Sequence, residues 1–332
     1  MEENTLEVTN LETSFQSDYG STRALENISF HIKQSEVLAL VGESGSGKTV
    51  TSLSIMGLLP SNGKINNGKI ILLSKNNEEI NILQMTDDEL NKVRGKDVSM
   101  IFQEPMTCLN PTMTIGNQIT EVILNHKIIS KNEANKSMID LLKLVEIPDP
   151  NQKANEYPHQ LSGGMRQRVM ISIALACEPK LIIADEPTTA LDVTVQAQIM
   201  ELFKDIQKEF KTSFILITHN MGIVADACLK TLVLYGGKIM EYGLTTDVFL
   251  NPSHPYTIGL LETMPRIDKE YEILKTIPGN PPNMMKLPKG CPFSNRCSYK
   301  INECIELQPP IKTINNQDHQ RACHVPLTEL NL

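Results

Sequence analysis

The chain has 332 residues, of which 40% are hydrophobic and 21% charged, and its formal net charge is −8. Chains of this length exceed the size at which one hydrophobic core usually stops growing, so we expect two folded units. The acidic balance argues against direct binding to nucleic acid, which needs a basic surface, and against adsorption to an anionic membrane. No apolar run approaches the roughly 20 residues that span a bilayer, so we expect no direct membrane insertion. The acidic N-terminus lacks the apolar core of a signal peptide, so we expect a cytoplasmic protein.

Apolar patterning near the N-terminus predicts three strands and a helix. Alternating apolar positions indicate strands at 5–10 and 25–33, and the continuous apolar run 37–41 indicates a third. A helix is predicted at 50–56. The glycine-rich stretch Gly42–Thr49 therefore forms a turn between a strand and a helix.

The next segment predicts irregular structure around one strand. We expect a loop at 60–69, a strand at 69–73 and an exposed turn at 74–81. Thr86, with Glu89 three residues later, is typical of a helix N-cap with a capping box.

A small helical unit is predicted in the middle of the chain. Val98–Phe102 indicates a short buried strand that ends at Gln103. Apolar residues then recur at helical spacing over 115–147, and we assign a helical subdomain to about 104–165. A further helix is predicted at 165–177.

Buried strands and helices alternate in the following segment. The apolar runs 181–184 and 214–217 are typical of strands covered on both faces, and a helix is predicted between them at 193–210. A hairpin is predicted at 232–240. This alternation indicates an α/β fold with a parallel sheet layered by helices.

Proline becomes dense after about residue 250, and few long periodic segments remain there. We therefore divide the chain into a domain at 1–250 and a small, loop-rich C-terminal domain at 251–332. A loop-rich unit of this size usually needs disulfides or a structural metal to stabilise its fold.

The stretch Gly42–Thr49 matches the phosphate-cradling P-loop. Glycines let the backbone approach an anion closely, and backbone N–H groups at the start of the next helix point at the phosphates. Lys48 would reach the terminal phosphates, and the Thr49 hydroxyl would ligate Mg²⁺. A turn that binds nothing is the alternative, which the strand–turn–helix setting disfavours. The residues expected to contact the nucleotide here are Gly42, Ser44, Gly45, Ser46, Gly47, Lys48, Thr49 and Val50.

Polar residues also follow other predicted strands. Asp185 is placed to hold Mg²⁺, and the adjacent Glu186 is placed to act as general base towards an attacking water. A solvated acidic pair at the start of a turn is the alternative. Gln103 is a candidate sensor of Mg²⁺ or of the water, and His219 is a candidate contact of the γ-phosphate. An isolated histidine at such a position is more often structural, and an isolated glutamine there indicates little by itself.

Leu161–Gln167 opens a helix with two adjacent glycines, which creates a second anion site from backbone N–H groups and a hydroxyl. One nucleotide does not need two such sites from one chain. We therefore expect each chain to offer this site to the nucleotide of a partner in a head-to-tail dimer, although an ordinary helix start is the alternative. The expected contacts come from Ser162, Gly163, Gly164 and Gln167.

Together these motifs resemble those of the ATPase subunit of an ABC transporter, in the order of that family, over about residues 5–250. They are Gly42–Thr49, Gln103, Leu161–Gln167, Leu181–Glu186, Ala190–Asp192 and His219. The resemblance implies ATP and Mg²⁺ as cofactors. It also implies a P-loop NTPase core of the RecA-like type with a mixed sheet, an inserted helical subdomain and a small loop-rich C-terminal domain.

The resemblance further implies roles for single residues. Tyr19 stacks on adenine, with Phe15 as a competing candidate. Gln103 joins Thr49 and Asp185 around Mg²⁺, and the segment after Gln103 faces a membrane subunit. The residues that act at the dimer interface or on the closed state are Ser162, Gly164, Asp192 and His219.

Three stretches resemble the oligopeptide/dipeptide importer branch of the family, namely Met100–Pro111, Tyr157–Gln160 and His254–Thr257. This branch implies ATP-driven peptide import. It also implies a second, different ATPase subunit, two membrane permeases and an extracytoplasmic solute-binding protein, with the ATPase held peripherally at the cytoplasmic face of the cell membrane. Related branches import nickel or other solutes. A soluble ABC ATPase acting on ribosomes or DNA is another alternative, and export is a further one.

Four of the seven cysteines crowd near the C-terminus, at Cys291, Cys297, Cys304 and Cys323. Their separations of five, six and eighteen residues do not fit the closely spaced cysteine pairs of structural zinc sites. Four thiolates can also hold an iron–sulfur cluster. The importer branch has a similar cysteine pattern, which implies a 4Fe–4S site, with zinc as second choice and unligated thiols as the alternative.

Overall fold

A computed structural model describes residues 3–18, 20–189, 191–264, 276–314 and 318–330. The chain forms two compact units. The first comprises Met1–Glu7, His31–Glu36 and Ile71–Leu216, and the second comprises Val8–Phe30, Val37–Ile70 and Ile217–Leu332. The predicted boundary near residue 250 falls inside the second unit, which holds both the P-loop stretch and the C-terminal region. The division at residue 250 stays a prediction.

The described strands and helices follow the predicted alternation. The strands are β1 (Asn4–Ser17), β2 (Gly20–Lys33), β3 (Val37–Val41), β4 (Gly63–Leu73), β5 (Glu79–Asn81), β6 (Val98–Ile101), β7 (Leu181–Asp185), β8 (Ser213–Ile217), β9 (Lys230–Tyr235), β10 (Lys238–Leu244), β11 (Lys312–Thr313) and β12 (Gln320–Arg321). The α-helices are α1 (Lys48–Met56), α2 (Asp87–Val93), α3 (Pro105–Cys108), α4 (Ile115–His126), α5 (Lys131–Leu144), α6 (Pro150–Lys153), α7 (Gly163–Leu175), α8 (Val193–Phe210), α9 (Met221–Ala227), α10 (Thr245–Leu250), α11 (Pro255–Glu262) and α12 (Glu303–Glu306).

In the second unit, a parallel pair of strands leads into the P-loop stretch. β3 pairs with β9, with Leu38 opposite Lys230 and Val41 opposite Val233. Every residue of β3 and β9 is buried, as expected for strands covered on both faces. β9 and β10 form the predicted hairpin, and β10 also pairs antiparallel with β12, which pairs with β11. The sheet is therefore mixed.

In the first unit, β6 and β7 pair in parallel, with β8 as the other neighbour of β7. All residues of β7 and β8 are buried. Helices α4, α5 and α7 pack against one another, and α7 also packs on β6. This confirms the predicted helices within 115–147 and the helix after the glycine pair.

The expected loop at 60–69 is wrong from Gly63 onwards, because β4 begins there. The first half of β4 is rich in polar residues and largely exposed, so it lacks the apolar pattern that predicts a strand. One of these polar residues, Asn66, donates from Nδ2 to Ser14 Oγ at 2.8 Å. The expected turn at 74–81 likewise ends in β5, which pairs antiparallel with the end of β4. The capping box at Thr86 and Glu89 is confirmed.

Among the described residues, no helix combines the length and apolar character needed to cross a bilayer.

Candidate functional site

The P-loop stretch adopts a backbone path that needs glycine. Gly42, Gly45 and Gly47 have φ angles of 148°, 77° and 109°. A Cβ on Gly42 would lie 2.2 Å from the carbonyl oxygen of Leu234, and one on Gly47 would lie 2.7 Å from Leu25 Cδ2. Because α1 starts at Lys48, the backbone N–H groups of the loop meet the positive end of a helix.

Two polar side chains of the same loop, Lys48 and Ser46, are buried beside the backbone of the loop. Lys48 Nζ donates to the carbonyl oxygens of Gly42 at 2.7 Å and Glu43 at 2.9 Å, and Lys48 is 7% exposed. Ser46 Oγ is buried and has no hydrogen-bond partner among the described residues. Ser44 and Thr49 are exposed and Val50 is half-buried. A lysine amine, an orphaned hydroxyl and a helix start fit a phosphate group.

The turn of the β9–β10 hairpin supports the loop. Gly237 N donates to Ser46 O at 3.0 Å, and Glu26 N donates to Gly237 O at 2.9 Å. A Cβ on Gly237 would lie 2.3 Å from Ala24 O. The close approach of the turn to the loop therefore depends on glycine.

His219, the candidate contact of the γ-phosphate, lies beside the start of the P-loop stretch. It follows β8 and lines a cavity of about 850 Å³ together with Gly42 and Glu43. Met221 and Ile277 line the same cavity. The side chain of His219 is exposed and is thus accessible from this cavity.

Two residues of the C-terminal region, for which the sequence predicts no role, contact Glu43 of the loop. Tyr256 Oη accepts a hydrogen bond from Glu43 N at 2.8 Å. Arg296 donates to both carboxylate oxygens of Glu43, at 2.5 Å and 3.0 Å. Tyr256 belongs to the stretch His254–Thr257 that resembled the importer branch, whereas nothing in the sequence around Arg296 pointed to the loop.

In the first unit, the structure brings Gln103 and Glu186 together. Gln103 Nε2 donates to Glu186 Oε2 at 2.9 Å, and Thr189 Oγ1 donates to the same oxygen at 2.9 Å. Glu186 has φ of 47°, which a residue with a Cβ rarely adopts and which often marks a functional position. Asp185 ends β7 and is 4% exposed. A carboxylate held in one orientation is suited to position a water or accept its proton.

The glycine pair lies at the start of α7. Ser162 is the N-cap, and its Oγ accepts a hydrogen bond from Met165 N at 3.3 Å. Ser162 and Gly163 are exposed, and a Cβ on Gly163 would meet no atom within 4 Å. A Cβ on Gly164 would lie 3.1 Å from Val195 Cγ1. Gln167 is 2% exposed, so its side chain lies inside the unit and away from the exposed helix start.

The remaining predicted residues have other surroundings. Asp192 is the N-cap of α8, where its Oδ1 accepts a hydrogen bond from Val195 N at 3.0 Å. Tyr19, the predicted adenine contact, lies outside the described residues. The competing Phe15 is half-buried, and its ring edge lies 2.9 Å from where a Cβ on Gly63 would be.

The four clustered cysteines are free thiols near one another. Burial raises the pKa of Cys291 to about 12 and that of Cys297 to about 11. Within the described part of the chain, no group of three or more His, Cys, Asp or Glu residues is arranged to hold a metal ion. Two histidines flank Cys323 in the sequence, and His319 Nε2 and His324 Nε2 are engaged by Glu241 Oε1 and Leu307 O, each at 2.9 Å. The predicted 4Fe–4S cluster and its zinc alternative therefore gain no support from this geometry.

The mixed sheet, the P-loop and its helix define a P-loop NTPase fold. The sequence model of the ABC transporter family matches residues 25–189. Two solved structures with the same fold are a dimeric ATP-binding cassette, MJ0796, bound to ADP and Pi, and cbiO1 of Clostridium perfringens, part of the transporter complex cbiONQ. The first has a TM-score of 0.64 and 28% identity over 72% of this chain and 98% of its own. The second has a TM-score of 0.63 and 29% identity over 75% and 92%.

The C-terminal region narrows the family further. Residues 240–304 match the model described as the oligopeptide/dipeptide transporter C-terminal region. The chain is 49% identical to the oligopeptide transport ATP-binding protein OppD of Salmonella typhimurium, over 98% of this chain and 95% of the relative. It is 48% identical to the dipeptide transport ATP-binding protein DppD of Bacillus subtilis, over 97% and 94%. The chain belongs to the ABC ATPase family, in its oligopeptide/dipeptide transporter branch.

Proposed function

We propose that this chain is the ATP-hydrolysing subunit that powers import of oligopeptides or dipeptides through an ABC transporter. The observation that carries the proposal is a phosphate-binding loop in the same chain as a C-terminal region typical of this branch. Relatives named for oligopeptide and dipeptide transport match nearly the whole chain, which supports peptides over nickel as the solute.

In this proposal, ATP and Mg²⁺ bind at the loop that starts with Gly42. Lys48 releases its carbonyl contacts and reaches the terminal phosphates, and Ser46 Oγ and the backbone N–H groups surround the phosphates. Thr49, Asp185 and Gln103 supply oxygen atoms around Mg²⁺, either directly or through water. Tyr19 stacks on adenine.

Glu186 orients the attacking water and accepts its proton. The hydrogen bonds from Gln103 and Thr189 hold the carboxylate before the water arrives, so no reorganisation is needed during the reaction. His219 completes the arrangement at the γ-phosphate. Positioning and charge neutralisation supply most of the rate increase in phosphoryl transfer.

The exposed start of α7 serves the nucleotide of a partner subunit. Ser162 Oγ and the N–H groups of Gly163 and Gly164 contact the γ-phosphate across a head-to-tail dimer, and Asp192 communicates between the two sites. We expect the partner to be a second, different ATPase subunit. Two membrane permeases hold the pair peripherally at the cytoplasmic face, and an extracytoplasmic protein delivers the solute.

Peptide uptake by cells that produce the protein tests this function. Replacing the chromosomal copy with Lys48→Ala should abolish uptake of labelled dipeptides and tripeptides and leave uptake of free amino acids unchanged. Loss of labelled nickel uptake with normal peptide uptake would overturn the peptide assignment. Normal uptake of both would overturn the transport role.

The proposal also includes a 4Fe–4S cluster, with zinc as second choice, bound by the four clustered cysteines. Burial raises the pKa of Cys291, Cys297 and Cys323, and the backbone N–H two residues after each cysteine partly offsets this rise by favouring the thiolate. Metal binding would have to remove the thiol protons, which these buried cysteines retain because burial disfavours the charged thiolate. Analysis of anaerobically purified protein is the test: about four iron and four sulfide per chain supports the cluster, one zinc supports the second choice, and neither metal overturns both.

A further inference from the structure

Glu43 places a carboxylate inside the P-loop, and the C-terminal region neutralises it. Arg296 Nη1 and Nη2 each donate to a different oxygen of Glu43, at 2.5 Å and 3.0 Å. The side chain of Arg296 is 6% exposed and that of Glu43 is 24% exposed. A bidentate pair of this kind combines strong charge pairing with a fixed geometry.

The guanidinium of Arg296 is anchored independently of the loop. Its Nε donates to Pro278 O at 2.8 Å, and its Nη2 donates to Ile277 O at 3.2 Å. The group also lies 5.8 Å from the ring centre of Tyr235 and 6.0 Å from that of Phe293. Because these contacts fix the arginine, the arginine fixes the carboxylate.

Tyr256 holds the backbone of the same loop residue. Its hydroxyl accepts the N–H of Glu43, so this N–H is committed to the C-terminal region. The tyrosine is fully buried and packs on Tyr235 and Phe293 at ring-centre distances of 4.6 Å and 5.2 Å. The pairing of the Glu43 carboxylate and the backbone path at the start of the P-loop thus both depend on residues more than 200 positions later in the chain.

We propose that Arg296 and Tyr256 are positioning residues for ATP binding, and that the C-terminal region tunes nucleotide affinity by neutralising and holding Glu43. The inference rests on the proposed binding of ATP at the P-loop. The triphosphate is highly negative, so an unpaired carboxylate in its binding loop would repel it, whereas a paired one contributes little field. Lys48 Nζ also donates to Glu43 O, so displacement of Glu43 would move the lysine contact as well.

ATP affinity of the full-length purified chain tests the inference in a double-mutant cycle. Arg296→Gln should weaken ATP binding about tenfold, since it leaves the carboxylate unpaired. Glu43→Gln should stay within about twofold of wild type, and the double variant should return to the level of Glu43→Gln. The loss caused by Arg296→Gln should shrink in high salt, because added ions screen the exposed part of the repulsion.

Controls separate this role from simple support of the fold. Arg321→Gln removes another arginine of the C-terminal region, which donates to Ser253 O and does not touch the loop, and should leave ATP affinity unchanged. Melting temperatures are measured for every variant. A double variant as weak as Arg296→Gln, or an Arg296→Gln chain with wild-type affinity, would overturn the inference while leaving the proposed function intact. Absence of ATP binding by wild type, or equal binding by Lys48→Ala, would instead overturn the proposed function.

Discussion

Glu186 shows how a single residue position is defined by its surroundings. Its φ of 47° is stabilised by two hydrogen bonds to one carboxylate oxygen. Such a conformation costs on the order of 1 kcal/mol or more, and it persists only where neighbouring contacts compensate. Here one compensating donor, Gln103, lies 83 residues earlier in the chain.

Substitution of Glu186 by Gln tests the proposed general base. The amide keeps the size of the side chain but cannot accept a proton, so ATP turnover should fall by roughly 100-fold or more. ATP binding should persist. Steady-state phosphate release and equilibrium binding of ATP measure the two quantities on the same preparation.

Glu178 offers a matched control for this substitution. It is another glutamate of the first unit with a left-handed backbone (φ 52°), and it pairs with Lys127 at 3.1 Å. Glu178→Gln should leave turnover close to wild type. Near-normal hydrolysis by Glu186→Gln would remove Glu186 from the role of base.

At the scale of single elements, the start of α7 combines a structural and a proposed functional task. The Ser162 hydroxyl caps the helix, and the two glycines beside it leave the backbone N–H groups accessible. An N-cap serine contributes about 1 kcal/mol to the stability of its helix. The activity of a Ser162 variant must therefore be compared with that of a variant that loses a similar N-cap elsewhere.

Ser162→Ala should lower ATPase activity of the assembled dimer at least tenfold, because it removes a donor to a charged phosphate. Thr114→Ala removes the N-cap of α4, whose Oγ1 accepts from Asn117 N at 3.4 Å, and is the matched control. Both variants should lose similar stability in denaturant unfolding, but only Ser162→Ala should lose activity. Equal activity in the two would assign Ser162 to capping alone.

At the scale of the whole molecule, the C-terminal region contains a buried polar cluster that should make stability depend on pH. Burial lowers the pKa of His254 to about 4, and nearby Arg321 acts in the same direction while Glu241 opposes it. His254 Nδ1 accepts a hydrogen bond from Tyr256 N, which caps α11. The neutral ring is therefore the form that the fold needs.

The folded pKa of His254 lies below the ordinary value of 6.5, so the unfolded chain binds more protons between about pH 6.5 and 4. Stability from this residue is full above that window and is lost as pH falls through it, by about 2 kcal/mol at pH 5. His254→Asn keeps a capping acceptor but does not titrate. The free energy of unfolding should thus fall less between pH 7.5 and 5 in the variant than in wild type, and equal slopes would contradict the assignment.

The sequence alone determined the local structure around the site and the family. The P-loop, the buried strands around it and the capped helix at Thr86 depend on residues within a few positions, whose sterics and hydrogen bonds act wherever the pattern occurs. The helix that starts at the glycine pair, α7, and the helix α8 are predicted for the same reason.

Only the tertiary structure decided which distant residues meet. Arg296 and Glu43 are 253 residues apart, and no local pattern encodes their pairing. The strand that begins at Gly63 was hidden because its polar residues form a strand only when paired with a neighbouring strand. Such contacts arise when chain folding brings burial, charge and hydrogen-bond partners together, and their energies do not exist in any short stretch of sequence.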